Sequence, residues 1–239
     1  MSTLRTPGVD PGSAIEWGDR RVVDGSAVER TSLLDRRAGA VPGVLWLPSA
    51  SLSSGPLPWS CWGHGGSGHE RSERIVSLAR WFAARGIAAL ARDGPYHGDR
   101  VPGLLSVTEY RSRVVEEGIA VVLDRMAEDW QACAAAPGDR LRCAVLGMFG
   151  LSQTPALHSG LVAPERVVTD AGRTTAPVLF HIQWDDEIFP RDGRLALFDA
   201  FGSKEKAMVG FPGRHGENQD AAVALRRDFV CCHLDVGHG

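Results

Sequence analysis

The sequence predicts an α/β fold: a mostly parallel central sheet flanked by helices, with no separate cap domain. Two observations predict it. From residue 59 onward, apolar runs of strand length alternate with segments of helical period. The central strand runs are largely apolar, as in strands covered on both faces. A third observation concerns placement, because loops rich in Gly, Ser, Asp and His follow several of these runs. Sheets of this kind carry chemistry at the carboxyl ends of their strands.

Arg20–Val23, Val28–Asp35 and Val44–Leu47 read as antiparallel strands entering the sheet, punctuated by Asp24-Gly25 and Pro42-Gly43. Residues 49–58 form a Ser/Pro/Gly loop, and Trp59–Trp62 is a short buried strand. Glu70–Arg85 places Ile75, Leu78, Ala79 and Phe82 on one helical face, and Gly86 stops it. The strand Ile87–Ala91 leads into Asp93-Gly-Pro-Tyr-His-Gly98. Thr108–Ala136 is one long helix ended by Pro137-Gly138. Arg142–Phe149 is a strand and Pro155–Val162 a short helix, with Arg166–Thr169 and Pro177–Ile182 as further strands. Leu195–Phe201 is helical, Ala207–Phe211 the last strand, and Ala221–Leu234 the closing helix.

The 239 residues suffice for a sizeable core and are read as one domain, with residues 1–18 as a flexible extension. A hydrophobic fraction of 44% and a net charge of -3 exclude an intrinsically disordered chain. The same balance argues against a protein that coats nucleic acid or an anionic membrane. No run of about 18 apolar residues suggests a membrane-spanning helix. Met1–Gly18 lacks the apolar stretch of a secretory signal, so a cytoplasmic location is expected. Cys61, Cys133, Cys143, Cys231 and Cys232 show no CxxC spacing and are expected to be buried free thiols. His64, His69, His97, Asp93 and Asp99 match no zinc spacing, so no metal or other cofactor is expected. The oligomeric state is not written in the sequence.

Four segments carry candidate chemistry. Gly150-Leu-Ser-Gln-Thr154 follows a strand and fits the G-x-S-x-G nucleophile elbow, except that Thr154 replaces the last glycine. The elbow strains the serine backbone, and a helix starting after Ser152 would stabilise developing negative charge. Gly63-His-Gly-Gly-Ser-Gly-His69 follows the strand ending at Trp62 and offers the Gly66 N–H to an oxyanion, with the Gln153 N–H as its partner. Each such donor contributes about 2.7–4 kcal/mol in a transition state. His64 is read as stabilising this loop. Gln183–Pro190 supplies a carboxylate after a strand, and Phe211–His215 supplies an imidazole after the next.

Serine, acid and histidine thus occur in the chain order of a hydrolase triad. Ser152 Oγ would attack once His215 takes its proton, and the acid would orient the imidazolium. Asp186 is chosen over Asp185 because Pro190 follows it by four residues; the other carboxylate is solvated or structural.

These segments make the chain resemble the α/β-hydrolase superfamily, and within it the dienelactone-hydrolase-like group of serine esterases. The matching pieces are Gly63–His69, Arg85–Gly98, Gly150–Thr154, Trp184–Pro190 and Pro212–His215, spread over about residues 40 to 235. The resemblance implies hydrolysis of a small carboxylic ester, lactone or thioester. It makes Asp93, Tyr96 and His97 structural or pocket-lining. Ser152 stands where dienelactone hydrolases proper use cysteine, and Val101–Ala136 is the segment left to cover a pocket.

Two rival readings follow from the same residues. The fold could be redirected to elimination, acyl transfer or C–C cleavage, or to binding alone. Gly63-x-Gly65-x-x-Gly68 with Asp93 downstream also fits a dinucleotide-binding fingerprint, which would make the chain an oxidoreductase.

Overall fold

Alternating side chains decide how the first half of the chain folds. The computed structural model describes residues 15–23, 25, 27–36, 39–49, 57–66, 68–103, 105–134, 141–155 and 157–236. Strands β1 (Ile15–Val23), β2 (Ala27–Leu34) and β3 (Val41–Pro48) pair antiparallel in sequence order. β3 then pairs antiparallel with β5 (Ala88–Arg92), which runs parallel to β4 (Trp59–Trp62). Val44 and Trp46 on β3 and Ala89 and Ala91 on β5 face one side, against Ile75, Ala79 and Ala83 of α1 (Glu73–Ala83). Val41, Leu45, Ala88 and Leu90 face the other, against Ala132 and Cys133 of α3 (Ile119–Ala134). The period of two puts a helix on each face of this mixed sheet.

β1 begins at Ile15, five residues before its expected start, so the expected extension overlaps it at 15–18. The rest of that extension lies outside the described residues, as do most of the 49–58 loop and the Pro137-Gly138 stop. The long helix expected over 108–136 is two helices, α2 (Val107–Glu117) and α3, separated by Gly118. Gly118 has φ +95°, a conformation that side chains disfavour and that no helix can continue through.

A second sheet holds β6 (Ala144–Gly147), β7 (Val178–Gln183) and β8 (Lys206–Phe211), all parallel, with β7 in the middle. β7 is buried along its whole length, which fits its mostly apolar sequence, broken only by buried His181 and Gln183. Val178, Phe180 and Ile182 pack with Ala171 of α4 (Pro164–Arg173) and with Leu197 and Phe201 at α5 (Arg191–Ala200). Lys206 Nζ caps the end of α5 by donating to the Phe198, Asp199 and Phe201 carbonyls at 2.9, 2.9 and 3.0 Å. The chain closes with α6 (Asp220–His233). It divides into two compact units, Met1–Glu116 with Val121–Asp139, and Glu117–Ala120 with Arg140–Gly239.

Two expected elements differ. Arg166–Thr169 is part of helix α4, not a strand. Pro164 presets the first turn, Arg166 Nε meets Asp170 Oδ2 at 2.6 Å one turn on, and the Thr169 hydroxyl donates to the Glu165 carbonyl. The β-branched run Val167–Thr169 suggested strand, but the amphipathic spacing prevails. Over 155–162 the described residues hold only a 3-10 turn, Ser159–Leu161, so no α-helix starts directly after Ser152.

The cysteines are free, but only Cys133 and Cys231 are buried. Cys143 is half-buried, while Cys61 and Cys232 are exposed, contrary to expectation. Cys61 alternates away from buried Ser60 on β4, and Cys232 lies beside buried Cys231 on α6.

Candidate active site

The second unit gathers the loops that leave the carboxyl ends of β6, β7 and β8. Residues 184–190 extend the β7–β8 pairing, since Trp184 N–H donates to the Phe211 carbonyl at 2.8 Å and Asp185 N–H to the Gly213 carbonyl at 3.0 Å. Asp185 Oδ2 accepts the Gly213 N–H at 3.2 Å, so this carboxylate ties the two loops together. Adjacent residues leave an extended strand in opposite directions, and Asp186 turns inward.

The Asp186 side chain is fully buried. Its Oδ1 accepts the Ile188 and Phe189 amides at 2.8 and 2.9 Å, and its Oδ2 meets His215 Nδ1 at 3.0 Å. Burial works to raise its pKa. The Phe189 amide, the His215 imidazole and the Ile188 amide outweigh burial and hold the carboxyl below the ordinary aspartate value. A carboxylate only accepts, so Nδ1 carries the ring hydrogen and leaves Nε2 as the acceptor in neutral His215. Phe189 lies beside the imidazole, with ring centroids 5.6 Å apart. The His215 backbone N–H donates to Glu187 Oε2 at 3.1 Å.

Ser152 is exposed in a loop that the neighbouring segments clamp. Leu151 N–H donates to the Gly193 carbonyl at 3.1 Å, and Thr154 N–H to the Ile188 carbonyl at 2.8 Å. The Thr154 hydroxyl donates to the Glu187 carbonyl at 2.7 Å, which gives the residue that replaces glycine a bond of its own. The strained non-glycine residue here is Met148, at φ 63°, rather than Ser152. A Cβ on Gly193 would stand 2.2 Å from Ser152 Oγ, so only glycine lets α5 approach the serine this closely. The structure therefore joins Asp186 to His215. Among the described residues, no hydrogen bond joins the Ser152 hydroxyl to that ring, and none takes up the Gln153 N–H.

Gly66 lies exposed in the first unit, where a Cβ would stand 2.9 Å from Tyr110 Cε1. His64 holds the loop as expected: its Nδ1 donates to the Gly65 carbonyl at 2.9 Å, and its Nε2 accepts the Gly94 amide at 3.0 Å. Burial, first among the causes, lowers its pKa, in keeping with a neutral ring. Asp93 is buried, and its two oxygens accept the Glu70 and Asp99 amides at 2.8 and 3.0 Å. Each oxygen thus holds a backbone amide of a neighbouring turn, which gives Asp93 a structural role in this loop. His97 sits between His64 and Tyr110, at ring centroid distances of 4.6 and 4.3 Å.

Sequence reasoning missed four residues of the second unit: Glu187, Phe189, Gly193 and Arg194. The one available signal was Gly193, a poor helix former inside the first turn of α5, which marks a close approach.

No protein-family model matches the chain, and no curated protein matches it. Solved structures do. The PEG-bound complex of a cold-adapted esterase from an Arctic intertidal metagenomic library is 27% identical, covering 91% of this chain and 99% of its own, with a TM-score of 0.68. The acetyl xylan esterase from Paenibacillus sp. R4 is 17% identical over 91% of this chain and 88% of its own, with a TM-score of 0.59. Paleococcus ferrophilus monoacylglycerol lipase is 20% identical over 75% of this chain and 96% of its own, with a TM-score of 0.51. The last two are likenesses of fold. Together the matches show an α/β-hydrolase fold over most of the chain.

Proposed function

We propose that this chain is a serine hydrolase that cleaves a carboxylic ester, lactone or thioester of a small molecule. The observation that carries the reading is the bond from His215 Nδ1 to buried Asp186, at the ends of adjacent parallel strands. The esterase name borne by the solved neighbour at 27% identity supports the substrate class. The finer likeness to the dienelactone-hydrolase-like group rests on the sequence motifs.

In this reading His215 Nε2 takes the Ser152 proton as Oγ attacks the carbonyl carbon, and Asp186 stabilises the imidazolium. The tetrahedral oxyanion accepts the Gln153 N–H. Collapse breaks the bond to the leaving oxygen or sulfur, which receives the proton from His215. Water, deprotonated by the same ring, then hydrolyses the acyl-serine and restores Ser152. The Ser152–His215 bond closes when substrate binds, as in other hydrolases whose catalytic hydrogen bonds are loose without substrate.

Mass spectrometry after a fluorophosphonate probe tests the reading without knowledge of the substrate. Label on Ser152, with p-nitrophenyl acetate turnover lost in a folded Ser152→Ala variant, is expected. Label elsewhere, or undiminished turnover in that variant, overturns it.

A further inference from the structure

Arg194 is a charged side chain in an unusual place. It stands in the first turn of α5 with 1% of its surface exposed. Its Nη1 donates to the Gln183 carbonyl, at the point where β7 gives way to the acid loop. The same nitrogen lies 3.8 Å from Asp186 Oδ2, the oxygen that meets His215. Its Cγ would stand 3.0 Å from a Cβ on Gly150, which places its stem against the base of the serine loop. Its Nε is buried without a partner. Burying a guanidinium costs several kcal/mol unless the surroundings compensate. An apolar chain of similar length would fill the space without that cost.

We propose that Arg194 is a positioning residue for the Asp186–His215 pair, anchoring the acid loop through the Gln183 carbonyl while its charge offsets that of Asp186. The cation and the imidazole both lie against Asp186 Oδ2, at 3.8 and 3.0 Å. Its positive charge, placed against that oxygen, opposes the arrival of a further proton on the Asp186–His215 pair. The other charged groups near the pair are Asp185, Glu187 with Arg214 at 3.7 Å from it, and Arg191 and Asp192 on α5. Asp185, Glu187 and Asp192 are anionic. Among the described contacts, only Arg194 places a cation against the Asp186 carboxylate itself.

The activity arm of the test rests on the hydrolase reading, and the spectroscopic arm does not. Arg194→Gln keeps a donor but removes the charge, while Arg194→Lys keeps both. Folding is checked by circular dichroism. The pair is read from the His215 ring 15N shifts in a long-range 1H–15N correlation, assigned with His215→Asn. The Gln variant is expected to move those shifts at fixed pH. It should also carry the acidic limb of kcat/KM for p-nitrophenyl acetate about one pH unit upward. The Lys variant should restore both. Unmoved ring shifts in the Gln variant overturn the proposal, as does a Lys variant no better than Gln. Loss of fold in both variants overturns it too, because the residue is then structural only. Should Ser152 resist the fluorophosphonate probe, the hydrolase reading fails, and the ring shifts alone still decide the role of Arg194.

Discussion

Asp185 and Asp186 are chemically identical neighbours with separate work. One accepts a backbone amide of the 211–215 loop, and the other accepts the imidazole. Replacing Asp186 with Asn puts an amide opposite Nδ1 and favours the wrong ring tautomer. Turnover of p-nitrophenyl acetate should fall on the order of 10³–10⁴-fold. Asp185→Asn keeps an acceptor for the Gly213 amide and should stay within about tenfold of the parent. Gly193→Ala is the sharper steric test. The new methyl would overlap Ser152 Oγ, and displacing a nucleophile by about 1 Å costs about 10²-fold. A loss of that size in kcat is expected, with the circular dichroism spectrum retained.

At the scale of elements, the division between α2 and α3 depends on one backbone conformation. A side chain on Gly118 would meet no atom within 4 Å, so the cost of adding one is conformational. Gly118→Ala should lower unfolding stability by about 1–3 kcal/mol in urea. Gly118→Asn should lose less, because asparagine tolerates positive φ better. The same glycine shows what the sequence leaves hidden. Apolar spacing continues across residue 118, so periodicity reads one helix where the backbone makes two. At Val167–Thr169 the error runs the other way, with β-branched residues suggesting strand on an amphipathic helix begun by Pro164. β4, β7, β8, α1 and α6 were legible because each has a period or a mostly apolar run bounded by turn residues. The serine, acid and histidine loops were legible because each follows such a run. Arg194 was not, since its partners Gln183 and Asp186 meet it only through folding.

For the molecule as a whole, two carboxyls respond to pH in opposite senses. Glu70 is buried in the first unit, and burial, followed by the charge of Asp93, pushes its pKa up to about 8. A raised acid binds its proton more tightly when folded. Its contribution is therefore complete below the ordinary 4.5 and is lost as pH rises through about 8. Asp186 has a lowered pKa, so its contribution is present above the ordinary aspartate range and is lost as pH falls through the lowered value. Urea midpoints between pH 5 and 8 should decline in the parent and flatten in Glu70→Gln. An equal decline in that variant would assign the slope to another group.

The acid loop is bonded on one side to Thr154 and on the other to Gly213 and His215. The Ser152 loop and the His215 loop thus take their bearings from a common keystone instead of from each other. A lesion in residues 184–190 would unseat both flanks in a single event, while damage to either flank leaves the other seated. Transplanting this chemistry to another scaffold would accordingly require carrying the middle segment intact, with its neighbours rebuilt to suit it.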